Sequence, residues 1–168
     1  MSIRAVTPAR EGGPGARETP VRTGATPVRL GAMTEKITRI NPEPLHEMPG
    51  YHHVTVVEAG RTAHLAGQCP LGRNGDLVGP GSPEAQVDQV VANALTALAA
   101  VRARPEHVVR SVVYVRSEDR EVLAAVWSRL TASALGSAFT TASTLLGVAQ
   151  LGFPGQLVEV DLTAALPD

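Results

Sequence analysis

Apolar residues along this chain recur with two periods, which divide it into strands and helices. Lys36–Ile40, Val54–Ala59 and Thr62–Ala66 are short β-branched runs and predict strands, with Gly60-Arg61 between the last two reading as a hairpin turn. Arg73-Asn-Gly-Asp76 is a second turn signal. Ser82-Pro-Glu84 opens a helix with a hydroxyl cap, a proline in the first turn and an acid at the positive helix end. Val87, Val90, Val91, Ala94, Leu95, Leu98 and Val101 then follow at helical spacing, and Pro105 stops any continuation. Val108–Val115 is a nearly continuous β-branched run, which predicts a central strand apolar on both faces. Ser117 is the expected cap of a second helix bearing Val122, Leu123, Val126, Trp127 and Leu130 on one face. Ala142–Val148 and Leu157–Leu166 close the pattern as two strands joined through the Gly152-Phe-Pro-Gly155 turn.

Strands, helix, strand, helix, strands: this order predicts an α+β domain. Two helices cover one face of a sheet, so a central strand apolar on both faces implies a further cover, most simply a second copy of the chain. Residues 1–32 are rich in Pro, Gly, Thr and Arg and poor in large apolar side chains, so they are expected to be a disordered tail ahead of a domain spanning 33–168. Met33 is a second candidate for the start of translation.

Composition narrows the function classes. Hydrophobic residues make up 43% of the 168-residue chain and aromatics only 3%, so the core is built from Val, Leu and Ala. The 15 basic and 16 acidic residues nearly cancel, and no charge excess points to nucleic acid or an anionic membrane. A single cysteine, Cys69, excludes an internal disulfide. No apolar run is long enough to span a bilayer, and the N-terminus lacks the apolar segment of a secretory signal, so the expectation is a cytoplasmic protein.

Two segments carry a resemblance. Near the C-terminus, Ser143-Thr-Leu-Leu-Gly-Val-Ala149 is followed by Leu157-Val-Glu-Val-Asp-Leu-Thr-Ala164, and Ala66-Gly-Gln-Cys-Pro-Leu71 sits mid-chain. Together with Pro49-Gly-Tyr51 they resemble the RidA/YjgF family, whose best-known members hydrolyse reactive 2-imino acids. The resemblance runs from about Ile37 to Leu166. It implies a chorismate-mutase-like mixed β-sheet with two helices packed on one face, a homotrimer, and ligand clefts between subunits. It also implies that Tyr51, Gly67, Ser143 and Leu145 contact the substrate, Leu145 through its backbone N–H, and that Glu159 orients the attacking water. No cofactor is implied.

The sequence departs from that family where it matters chemically. The family's substrate-gripping arginine is Ser143 here, the serine before Gly67 is Ala66, and an asparagine often seen on the second helix is Ala124. An arginine–carboxylate fork is planar and charge-assisted, and one hydroxyl does not replace it. Arg73 and Arg116 are substitute candidates, each read as a surface residue. From the residues themselves, Glu159 and Asp161 share one strand face about 6.6 Å apart, and a carboxylate so placed can orient water or simply be solvated. Cys69 reads as a buried or semi-buried thiol, and His52, His53 and His64 as poor metal ligands because neighbouring strand residues face opposite ways. Three functions remain open. The chain binds or processes a small carbonyl, imine or enamine lacking a carboxylate; it is a weak 2-iminobutanoate/2-iminopropanoate deaminase; or it is a non-enzymatic metabolite-binding or protein-interaction trimer.

Overall fold

A computed structural model describes residues 36–47 and 49–167. The expected tail, residues 1–32, lies outside the described residues, as does the proposed domain start at 33. In chain order the elements are β1 (Ile37–Ile40), β2 (Val54–Val57), β3 (Thr62–His64), α1 (Pro83–Ala100), β4 (Val108–Val115), α2 (Arg120–Thr131), β5 (Ala142–Gly147) and β6 (Val158–Ala165). A four-stranded mixed sheet has the order β3-β6-β4-β5, with β4 and β5 parallel and the other pairs antiparallel. β1 and β2 form a separate antiparallel pair.

Both helices lie on one face of the sheet, α1 against β6 and α2 against β5. The predicted stripe on α1 is the core: Val87, Val90, Ala94 and Leu98 are at most 1% exposed. They meet Val113, Val115, Val158, Val160 and Leu162 from the sheet. Ser82 caps α1 as its spacing predicts, its Oγ accepting from the Ala85 N–H at 3.2 Å. Chain between α1 and β4 turns through Arg102, at φ 58°, before Pro105.

Three expectations are corrected. β2 and β3 do not form a hairpin: β2 pairs with β1 and β3 with β6. A two-residue hairpin turn needs a positive φ at its glycine, and Gly60 is absent from the positive-φ glycines of the described chain. The cap of α2 is Asp119, whose Oδ1 accepts from the Glu121 N–H, while the Ser117 hydroxyl accepts from Asp119 N–H one step earlier. β4 is not apolar on both faces. A bulge between Val108 and Arg110 resets the side-chain alternation, so Val108, Ser111, Val113 and Val115 face the helices. Arg110, Val112 and Tyr114 face the other way, beside Asp161 and Glu159 of β6.

A buried amide fastens the helix layer to the end of the sheet. Gln86, fully buried on α1, donates through Nε2 to the carbonyls of Gly79 (3.2 Å) and Gly155 (2.9 Å). Its Oε1 accepts from the Leu157 N–H at 2.7 Å. Gln86→Leu keeps the volume and leaves three backbone groups unpaired, so it should lower the unfolding free energy by about 3 kcal/mol in urea denaturation.

Candidate functional site

The segment ahead of β2 is laid across the start of β5 by hydrogen bonds rather than by a strand ladder. The His52 N–H donates to Thr141 C=O at 3.3 Å, and the His52 ring bonds Thr140 C=O. Thr55 Oγ1 lies 2.7 Å from Thr141 Oγ1 and accepts from the Ala142 N–H. Tyr51 packs edge-on against Trp127 of α2 (centroids 5.9 Å apart), and Trp127 in turn against Phe139. Between these pieces lies an open cavity of about 380 Å³ lined by Tyr51, His52, His53, Arg110, Ser143 and Thr144. His52 and His53 precede β2 instead of lying in it, so strand alternation does not separate them and both reach this cavity. Among the described residues no group of three or more His, Cys, Asp or Glu is arranged to hold a metal ion.

Ser143 is committed internally. Its Oγ lies 2.6 Å from Ser111 Oγ and within 3.3 Å of the carbonyls of Phe139 and Thr141. Ser111 is fully buried, so the economical arrangement has Ser111 donating to Ser143, which donates to the backbone. Leu145 packs on the core from β5, a sheet edge along which alternate backbone N–H groups point outward.

Glu159 sits elsewhere. Its Oε2 accepts from Gln156 Nε2 at 2.8 Å and from the Cys69 thiol at 3.5 Å. Gln156 is 1% exposed, and its own Oε1 accepts from the Phe153 N–H. Gly67 makes room for the carboxylate: a Cβ there would lie 2.0 Å from Glu159 Oε1. Tyr114 donates to Asp161 Oδ2 at 3.0 Å alongside, and desolvation, then that bond, holds its phenol above the ordinary range.

The structure therefore brings the sequence-predicted residues together in two groups. Tyr51 and Ser143 share one cavity; Gly67 and Glu159 touch in another place. Register sets Ser143 opposite Ser111, and Glu159 opposite Tyr114, on the other face and two strands away. This is about 14 Å across the sheet. Arg73 and Arg116 are exposed and absent from the Tyr51 cavity, and Ala66 and Ala124 are exposed as well. Sequence reasoning passed over Arg110 and Gln156. Arg110 is a charge breaking an apolar strand run, a visible signal; Gln156, in a turn, gave none.

Burial, then the Glu159 charge, pushes the Cys69 thiol up from 9.0 to about 11. Alkylation of native protein by iodoacetamide should accelerate with pH up to about 11, and Glu159→Gln should move the midpoint down while leaving it above 9.0. The folded thiol ionises later than the unfolded one. Its contribution to stability is complete below pH 9.0 and is lost as pH rises toward about 11.

Comparison with known proteins places this geometry. A structure of a Rid-family protein of unknown function from Yersinia pestis, YyfB, is 35% identical, with a TM-score of 0.70 over 78% of this chain and 99% of that one. A putative endoribonuclease from Thermotoga maritima is 26% identical, with a TM-score of 0.52 over 72% of this chain and 90% of that one. A putative endoribonuclease L-PSP from Entamoeba histolytica is 25% identical, with a TM-score of 0.53 over 78% of this chain and all of that one. No curated protein sequence is a significant match. The family profile described as Endoribonuclease L-PSP matches residues 45–166. With that match and a chorismate-mutase-like arrangement of two helices on one face of a mixed sheet, the chain belongs to the Endoribonuclease L-PSP (RidA/YjgF) family.

Proposed function

We propose that this protein binds a small carbonyl, imine or enamine compound in a cleft completed between subunits, and hydrolyses the imine, or the enamine after its tautomerisation to the imine, with Glu159 orienting the water. One observation carries the reading. The Glu159 carboxylate is held through Oε2 by a buried amide and a neutral thiol, while Oε1 lies over Gly67 with no hydrogen-bond donor among the described residues. A carboxylate fixed at one oxygen and free at the other is suited to take a proton from water. In the reaction, the water oxygen bonds the imine carbon and the C=N π pair moves to nitrogen. Glu159 takes the water proton and returns it to that nitrogen. Glu159 then carries the carbinolamine O–H proton to the nitrogen as the C–N bond breaks, which forms C=O and releases ammonia.

Two features support closure between copies. Tyr51 and Glu159 do not meet within one chain, and Val54, Val56, Val57 and Leu146 are large apolar side chains left exposed. Three-fold assembly is the family expectation, and light scattering at micromolar concentration should give a trimer mass. A monomer would remove the basis for a shared cleft.

The weak 2-imino acid deaminase reading is disfavoured by the Ser143 hydroxyl, which is spent on Ser111 and on backbone carbonyls. On 2-iminopropanoate generated in situ, turnover should be slow. Losing a charged hydrogen-bond partner for the carboxylate costs about 1.5–3 kcal/mol, or roughly ten- to a hundredfold. Glu159→Ala should abolish turnover of any imine while costing about 1 kcal/mol of stability, because Gln156 Nε2 keeps the Val158 carbonyl. Retained turnover in Glu159→Ala would sink the assignment.

A further inference from the structure

We infer that the groove between α1 and α2 docks the chain's own Thr19-Pro-Val-Arg22 segment, with Val21 on its apolar floor and Arg22 at its acidic rim. The groove lies on the helix layer, away from the open sheet face, so the inference is independent of the role given to Glu159.

Val122, Ala125, Val126 and Arg129 form one stripe along α2 at helical spacing. Across from it stand Glu84, Val87 and Asp88 of α1. Ala125 is too small to fill the space between the helices, which leaves an open groove of about 740 Å³, against about 380 Å³ for the Tyr51 cavity. Its apolar part is Val87, Val122, Ala125 and Val126. On the rim, Arg129 forks onto Asp88, Nε to Oδ1 at 2.8 Å and Nη2 to Oδ2 at 2.6 Å. Those two charges cancel, and the carboxylates of Glu84, Asp119 and Glu121 remain. Among the described residues lining the groove no other cation answers them. An apolar floor with uncompensated acids at its edge fits a segment that carries an apolar side chain next to a cation.

The chain holds such a segment outside the described residues. Residues 1–32 carry five arginines and two glutamates, while the rest of the chain carries ten basic and fourteen acidic residues, so the two parts are opposite in sign. The unit Thr-Pro-Val-Arg occurs at 19–22 and again at 26–29. In each, the valine and the arginine stem supply apolar contact, and the guanidinium reaches past them to a carboxylate. The proline ring fixes its own φ, which lowers the ordering cost of docking.

Chain length selects the first unit. Lys36 lies at the start of β1, its carbonyl accepting from the Glu58 N–H at 3.0 Å. β1 lies by the start of β4, where Arg39 Nη2 donates to the Glu106 carbonyl. The α1 wall of the groove is fastened at the other end of β4: Gln86 Oε1 accepts from the Leu157 N–H, and the Leu157 carbonyl accepts from the Arg116 N–H. The eight residues of β4 separate these ends by about 26 Å, and the groove lies a layer further out. Arg29, seven residues ahead of Lys36, spans at most about 25 Å and falls short; Arg22, fourteen ahead, spans up to about 50 Å.

A nitroxide on Thr23→Cys tests this in the full chain. The half-buried Cys69, its thiol pushed up to about 11, reacts slowly at neutral pH and leaves the new cysteine as the labelled site. The label should broaden the amide resonances of Val122 and Ala125 and spare those of Ser143 and Thr144. Arg22→Gln, or Glu84→Gln together with Glu121→Gln, should lower the docked-to-free ratio about two- to fivefold, the range for exposed ion pairs, and high salt should act in the same direction. Arg4→Gln should leave the ratio unchanged. No broadening at Val122 and Ala125 overturns the proposal, as does an equal loss in Arg4→Gln, which would reduce the contact to charge without sequence. Broadening at Ser143 and Thr144 instead would put the segment in the Tyr51 cavity and overturn it as well. In oligomers refolded from a mixture of isotope-labelled and nitroxide-labelled chains, broadening of the isotope-labelled chains would give the groove to a second copy and overturn docking within one chain. Imine turnover should survive in Arg22→Gln and in the Glu84→Gln, Glu121→Gln variant, whereas Glu159→Ala removes it, so the two readings fail separately.

Discussion

Two buried glutamines at the junction of helix and sheet hold the parts of this molecule in register. Gln86 uses both amide protons and its oxygen on backbone groups from two separate loops. Gln156, three residues before Glu159, does the same at shorter range and spends one amide proton on the Glu159 carboxylate. A buried amide is costly when partly paired and directional when fully paired. Here both are paired at both ends, so the turn leading into β6 has little freedom to move relative to α1. The carboxylate's position is inherited from helix packing through a chain of amide contacts.

The open face of the sheet is more polar than the apolar strand pattern implies. Tyr114, Asp161, Glu159 and Arg110 lie on it, bracketed by half-buried Val112 and exposed Leu146. A face of this kind is not a core. It can be covered by another subunit while keeping water and small ligands at its polar positions, as interfaces commonly do.

Much of the fold was legible in the sequence because the helix stripes and the β4 run have clear periods. Val87 to Leu98 and Val108 to Val115 were found where they were expected. The misses have identifiable causes. The hairpin reading at Gly60 treated a Gly-Arg pair as a turn, but the glycine lacks the backbone angle that such a turn requires. The second apolar face of β4 was inferred from residue type alone, and a bulge at Val109 changed which residues shared a face. At the site, Gly67 and Glu159 were both picked out, and their contact explains why the first must be glycine. Ser143 was picked out as the position of a missing arginine. What the sequence did not carry is its bond to Ser111, 32 residues away, since pairing across parallel strands leaves no local spacing to read.

That serine pair makes positions 111 and 143 epistatic. A large side chain at 143 would strand a fully buried hydroxyl at 111, and removing the hydroxyl at 111 would leave Ser143 short of a donor. Either step alone passes through a less stable protein. The pair acts as a ratchet: once both serines are present, one-step routes to an arginine on β5 are disfavoured. New charge for this cavity is then more accessible from a neighbouring strand than from the family's own position.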